Sequence, residues 1–270
     1  MSGEKEMSFL DHLEELRKRL IWIVLSIVLG GVLMFVFADV VELIINGPRS
    51  SDFITYRALC AISQATGLDD SLCVTDLDFE IQGLTMLSNF TAEFVVAIIG
   101  GIILAFPFIF YQLWLFIKPG LKKNEIKAVN GITLGTSVLF FSGVFFGYFI
   151  LSPLSVRFLS NYEFLDSAMK PSIMSYIKLV ATLSLATGLI YQLPVVIYFL
   201  SKIGLVTPEG LRKYRKHTLV AVLILAALIT PPEPFSQVMV ALPMLLLYEI
   251  SIKISARVQR LNAGTEVSVQ

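Results

Sequence analysis

The chain has 270 residues, of which 56% are hydrophobic and only 16% charged, against about 25% charged in a soluble fold of this size. So few charged groups cannot cover a water-facing surface, which excludes an ordinary soluble domain. Lys plus Arg total 21 and Asp plus Glu total 21, a formal net charge of zero, which leaves no electrostatic footprint for a nucleic-acid partner.

Crossing the roughly 30 Å hydrocarbon core of a bilayer takes about 20 apolar residues of helix. Six stretches approach or exceed that length: residues 20–38, 86–117, 126–152, 173–200, 218–230 and 235–254. An all-α integral membrane protein of six transmembrane helices follows, read as a single membrane domain over 1–270. The segment before the first span, from Ser8 to Leu20, starts with a capping box of Ser8 and Asp11. It sets Phe9, Leu13, Leu16 and Leu20 on one stripe, and Asp11, Glu14 and Glu15 stand where i,i+4 pairing with Lys18 and Arg19 neutralises the polar side. It is an amphipathic helix running straight into span one. Mostly polar residues precede the apolar run and no small-residue cleavage site follows it, so the first span is expected to stay as an anchor rather than leave as a signal peptide.

Residues 39–85 form a long, acidic connection in which Val40, Val41, Leu43, Ile44 and Ile45 recur at helical spacing, so a folded helical cap is expected there. It holds both cysteines, Cys60 and Cys73. Two thiols are too few for a disulfide framework. They pair if the cap faces an oxidising compartment, and remain as buried free thiols if it does not. Spans two to four are longer than a perpendicular crossing needs, and Pro107, Gly188 and Pro194 are the expected places for bends. Where span two ends, Phe110, Tyr111, Trp114 and Phe116 make an interfacial aromatic belt. Pro119 and Gly120 then force a turn, and Glu125 stands among Lys118, Lys122, Lys123 and Lys127 at the start of span three. In span four Gln192 is the polar group at mid-membrane. The fifth and sixth helices are expected to be short and to form a hairpin around the tip Pro231-Pro232-Glu233-Pro234, with residues 255–270 a flexible tail.

Sixteen of the 21 Lys and Arg residues fall in the N-terminal segment, the second and fourth connections and the C-terminal segment. Only Arg49, Arg57, Arg157, Lys170 and Lys178 lie on the other side. This asymmetry places both termini in the cytoplasm of a multi-pass cell-membrane protein.

The residues for catalysis are missing. The histidines, His12 and His217, both lie in charged segments, and no phosphate-binding G-x-x-x-x-G-K-[ST] loop occurs. No enzyme activity, cofactor or metal is expected. A secondary transporter with a midplane polar site is the alternative, but it calls for charged or broken-helix positions in corresponding halves, and polar residues within these spans are sparse.

Three separated motifs carry a more specific reading. The helix S-F-L-D-H-L-E-E-L-R-K-R-L from Ser8, the loop Y-Q-L-W-L-F-I-K-P-G-L with its later Glu125, and the tip I-T-P-P-E-P-F-S-Q from Ile229 to Gln237 resemble the TatC family. That family is the multispanning receptor subunit of the twin-arginine protein translocase. The resemblance runs from about residue 8 to 253. It implies a cupped, non-enzymatic six-span bundle that recognises twin-arginine signal peptides of folded cargo. It also implies single-span TatA- and TatB-type partners in an oligomeric complex, and export driven by the proton-motive force. The family's signal-binding glutamates match Glu15 and Glu125, with His12, Leu16, Arg17, Arg19, Tyr111, Gln112, Trp114, Phe116, Pro119, Gly120 and Leu121 around them. A guanidinium fits a carboxylate through two parallel N–H···O bonds, which suits an arginine pair better than lysines. Gln192 departs from the family pattern, where many members carry Glu; it keeps a hydrogen-bonding group without a charge. With Pro231, Pro232, Glu233, Phe235, Ser236 and Gln237 at the hairpin tip, it is the candidate for contact with partner helices.

Overall fold

The structure is a computed structural model that describes residues 9–67, 73, 80–117, 129–162, 170–230 and 234–267. It is helical, and among the described residues the sole β pairing is an isolated bridge between Gln82 and Ser172. The chain divides into two compact units, Met1–Glu42 with Met86–Val138 and Leu43–Thr85 with Leu139–Gln270.

The first unit is organised by two long helices, α1 (Phe9–Val36) and α4 (Ser88–Ile117). The amphipathic start and the first span are one uninterrupted helix, as the sequence implies; Ser8 and the Asp11 side chain of the expected capping box lie outside the described residues. Two glycine pairs let α1 and α4 touch backbone to backbone. A Cβ on Gly30 would sit 2.8 Å from the carbonyl oxygen of Gly101, and one on Gly101 would sit 2.7 Å from the amide nitrogen of Gly31. Small residues at a helix crossing permit this approach, and within lipid the resulting van der Waals contact is a main source of association. Much of α1 otherwise displays large apolar side chains, Leu25, Val28 and Leu29 among them, a surface suited to hydrocarbon. Pro107 sits inside α4 without ending it.

In the second unit the cap is helical. The helix α2 (Ala38–Asn46) enters it, a single 3-10 turn (Gly47–Arg49) follows, and α3 (Ile54–Thr66) stops at Gly67, whose φ of 72° is the left-handed conformation that glycine adopts without strain. Hydroxyl groups fasten these elements. Tyr56 is buried and shares its one hydroxyl proton between the carbonyls of Pro48 and Pro153, at 2.9 and 2.7 Å, and burial pushes its phenol well above the ordinary tyrosine value. Tyr148 donates to Ile44 O at 2.5 Å and Tyr176 to Ile45 O at 2.7 Å. The third apolar stretch runs as α5 (Val129–Phe146), a π turn (Gly147–Leu151) and α6 (Ser152–Ser160), so helix continues eight residues past the expected end at 152. Thr55 donates to the carbonyl of Phe149 within that turn.

Cys60 and Cys73 are joined by a disulfide, which resolves the choice left by the sequence. A bridge across 13 residues restricts the unfolded chain by about 3 kcal/mol in the loop-entropy account. The Cys60→Ser/Cys73→Ser variant is therefore expected to melt several degrees below wild type in detergent, and wild type should take up an alkylating agent at these cysteines only after reduction. Equal melting temperatures would remove the stabilising role.

The fourth stretch breaks at Tyr191 and Gln192, between α7 (Ile173–Ile190) and α8 (Leu193–Lys202). Pro194 accounts for the break, because it has no N–H to donate to the carbonyl of Ile190 four residues back and its ring crowds that carbonyl, while as an early residue of α8 it needs no such donor. Gly188 does not end the helix: it lies within α7, where the absence of a side chain makes room for Phe140 and Val144. A short helix α9 (Pro208–Lys213) leads to α10 (Arg215–Ile229), of 15 residues, and then to α11 (Pro234–Val267), of 34.

Two expectations fail at α11. The sixth helix is not short, and residues 255–267 continue it rather than forming a loose tail. The apolar count stops at Ile254 because charges begin there, yet Tyr248, Ile252, Ser255 and Val258 stay buried on one stripe while Lys253, Arg257 and Arg260 take the exposed side. Tyr248 and Ile252 pack with Ile197, Ser255 shares a hydrogen bond of 2.7 Å with Ser201, and Tyr248 donates to Leu211 O at 2.8 Å. Tertiary contact thus carries the helix beyond its apolar run. An ion pair of 2.8 Å joins Arg215 on α10 to Glu249 on α11. Five segments of the described chain are long and apolar enough to span a bilayer: His12–Val36, Ser88–Phe116, Thr133–Ser160, Ile173–Lys202 and Ser236–Arg260. The shorter α10, the expected fifth span, is not among them.

Candidate functional site

The first two motifs meet where the N-terminal turns of α1 lie against the last turns of α4. On α1, Glu15 and Arg19 are one helical turn apart, and Arg19 Nη2 donates to Glu15 Oε1 at 3.2 Å. Arg19 Nη1 donates to Gln112 Oε1 on α4 at 3.1 Å. The pairing on α1 is the i,i+4 geometry the sequence implies, and Glu14 pairs likewise with Lys18 at 3.2 Å on the exposed face. Gln112, by contrast, joins from 93 residues away, and no local pattern signals it as the anchor of that arginine.

The Glu15 and Arg19 side chains are only 19% and 28% exposed. Partial burial strengthens their attraction, but it also makes each unused hydrogen-bonding atom costly. Two such atoms exist: Glu15 Oε2 and Arg19 Nε are buried and meet no hydrogen-bond partner among the described residues. The arginine is thus divided between a carboxylate and an amide, and the second carboxylate oxygen is buried without a hydrogen-bond partner among the described residues. Lys18 is engaged with Glu14, and Arg17 is exposed on the other side of α1.

Aromatic groups brace the arrangement. Trp114 is fully buried. Phe116 stacks on the His12 ring with centroids 4.5 Å apart, which ties α4 to the first turns of α1, while Tyr111 is more exposed. Of the residues expected at the site, His12, Glu15, Arg19, Gln112 and Phe116 are therefore brought together by direct contacts. Leu16 and Arg17 are not part of that cluster. They line an apolar groove along α1 with Leu13, Leu20, Ile21 and Val24. Pro119, Gly120, Leu121 and Glu125 lie outside the described residues.

The second set of candidates is in the other unit. Gln192 is half-buried at the break before α8, and its backbone carbonyl accepts from the amides of Val195 and Val196 at 2.9 and 3.0 Å. Ser236 is buried at the start of α11, and Gln237 donates from Nε2 to Leu223 O at 3.0 Å, which joins α11 to α10. Pro231, Pro232 and Glu233, and the side chain of Phe235, lie outside the described residues. Among the described residues no group of three or more His, Cys, Asp or Glu side chains is placed to hold a metal ion.

The family model for TatC, the Sec-independent protein translocase protein, matches residues 11–243. Sec-independent protein translocase protein TatC from Blattabacterium sp. subsp. Periplaneta americana (strain BPLAN) is 39% identical over 266 residues, which cover 96% of this chain and 99% of the relative. TatCy of Bacillus subtilis (strain 168) is 35% identical, covering 94% and 91%. Two crystal structures of the twin-arginine translocase receptor TatC superpose well. One is 32% identical with a TM-score of 0.67, covering 92% of this chain and 99% of its own. The other, in DDM, is 33% identical with a TM-score of 0.70, covering 90% and 99%.

Proposed function

The chain belongs to the TatC family of Sec-independent protein translocase proteins, and from that premise we propose that it receives twin-arginine signal peptides of folded cargo at a cytoplasmic site built on Glu15 and Glu125. The family is non-enzymatic and works as a membrane component of the translocase with other Tat subunits. In this reading Glu15 Oε2 accepts one guanidinium of the arginine pair and Glu125 the other, and the apolar part of the signal lies along the membrane beside the aromatics near Trp114. The observation that carries it is the largely buried Glu15 carboxylate, whose Oε2 has no hydrogen-bond partner among the described residues and so has an acceptor to offer once a guanidinium enters. Arginine suits such an acceptor because its planar fork delivers two directed donors, whereas an ammonium acts as a point charge.

Both termini face the cytoplasm. The Lys and Arg asymmetry supports this, and so does the Cys60–Cys73 disulfide, because a bridged cap belongs in an oxidising compartment. Gln192, Glu233 and the hairpin tip contact single-span TatA- and TatB-type partners in an oligomeric complex driven by the proton-motive force. At Gln192 the contact is a hydrogen bond rather than a titrating group.

The test is photo-crosslinking in membranes to a twin-arginine precursor and its Lys-Lys counterpart. Strong labelling by the first and weak labelling by the second is expected. Glu15→Gln or Glu125→Gln should each reduce labelling by the twin-arginine precursor about tenfold, the scale of one lost charge-assisted hydrogen bond, with insertion unchanged. Equal labelling by both precursors, or full labelling of the double variant, would overturn the reading.

A further inference from the structure

We propose that Arg19 is a specificity-determining residue, an internal guanidinium that occupies Glu15 in the resting state and must be matched by any incoming cation. This rests on the reading that Glu15 receives a signal-peptide arginine. The geometry carries it: Arg19 Nη2 is on Glu15 Oε1 at 3.2 Å, Arg19 Nη1 is on Gln112 Oε1 at 3.1 Å, and Glu15 Oε2 has no partner among the described residues.

The consequences follow from exchange. An arriving ligand does not meet a bare carboxylate; it competes with a guanidinium already there. Oε2 is buried in the resting arrangement, so a second guanidinium reaches it as Arg19 moves off; by taking both oxygens it then makes two parallel hydrogen bonds where Arg19 makes one. The displaced Arg19 keeps its hydrogen bond to Gln112, so its charge is not left without a hydrogen-bonding partner. A lysine ammonium has no planar fork to span both oxygens and must give up a strongly held hydration shell, so it exchanges poorly against the resident guanidinium. Without Arg19 the carboxylate attracts any cation, and the preference between arginine and lysine shrinks. Arg19 therefore lowers affinity for every cationic peptide but lowers it most for lysine. Gln112 keeps the displaced guanidinium nearby, ready to return when the peptide leaves.

The experiment measures photo-crosslinking of the full chain, in membranes with its translocase partners, to titrated twin-arginine and Lys-Lys precursors. Arg19→Gln is expected to raise Lys-Lys labelling roughly tenfold and twin-arginine labelling by less. Arg19→Lys, which keeps the charge and loses the fork, should also raise Lys-Lys labelling. In the Glu15→Gln background neither change at position 19 should alter the ratio of the two precursors. If Glu15→Gln itself leaves twin-arginine labelling intact, the underlying reading of Glu15 falls, whatever position 19 does. If Glu15→Gln weakens labelling but Arg19→Gln lowers both precursors equally, Arg19 serves only to hold Glu15 in place and the competition proposal alone is overturned. An Arg19→Gln effect that persists without Glu15 overturns it as well.

Discussion

Replacing Gly101 with valine is expected to part α1 from α4, with a loss of about 3 kcal/mol, the upper end for overpacking a close contact. The size follows from what the new side chain meets. Its Cβ alone would lie 2.7 Å from both Gly31 N and Ile27 O. Both are backbone atoms of a continuous helix, so no rotamer change relieves the clash and α1 must move. Because Glu15 and Arg19 stand on α1 and Gln112 on α4, the same shift should break the Arg19–Gln112 hydrogen bond and reduce twin-arginine crosslinking in parallel. Thermal unfolding in detergent, read beside crosslinking, checks this. Gly135→Val is the control, since a Cβ there meets no described atom within 4 Å; it should melt within about 0.5 kcal/mol of wild type, the scale of a surface substitution. A Gly101→Val protein that melts and crosslinks like wild type would refute the close-packing account.

The second large effect is expected at Gly147→Ala, in the π turn. A single added methyl would run into Thr187 Oγ1, and would lie 2.6 Å from Leu183 O and 2.8 Å from the Cα of Ser184, all on α7. Thr187 cannot simply turn away. It is 2% exposed, and its hydroxyl lies 2.8 Å from Gly143 O and 2.7 Å from Leu183 O, bridging α5 and α7 through a single shared proton. Displacing it leaves buried carbonyls short of a donor as well as crowding two backbones, so the two penalties combine to about 2 to 4 kcal/mol. The cap contacts attached to the same turn, Tyr148 to Ile44 and Thr55 to Phe149, should loosen with it, and cap amides should exchange faster in hydrogen–deuterium exchange. Unchanged melting together with unchanged cap exchange would contradict this.

The parts of the fold that depend on local composition are legible in the sequence. Long apolar runs announce membrane helices because hydrocarbon offers backbone groups no partner except one another. The proline at 194 announces the break at Tyr191 and Gln192, since its effect reaches only one helical turn back along the chain. The i,i+4 pairing of Glu15 with Arg19 is likewise local to one helix. Gly188 reads as a bend in the sequence, yet helix α7 runs through it; glycine has two uses, conformational freedom and close packing, and its neighbours Phe140 and Val144 show the packing role. The sixth helix looks short in the sequence for a related reason. Its charged residues end the apolar count, but its buried stripe is completed by Ile197, Ser201 and Leu211, contributed by α8 and α9.

Sequence alone establishes a multi-pass helical membrane protein of the TatC type, and it identifies Glu15 as a carboxylate one helical turn from Arg19 on an amphipathic helix, because burial preference, charge asymmetry and helical spacing are properties of neighbouring residues. Only the folded arrangement shows that Gln112 shares the arginine that holds Glu15, that the second carboxylate oxygen is buried without a partner among the described residues, and that Gly30, Gly31, Gly100 and Gly101 bring the two helices close enough for this. Those features depend on contacts between residues about 70 to 93 positions apart, whose register is set by the fit of one helix surface to another.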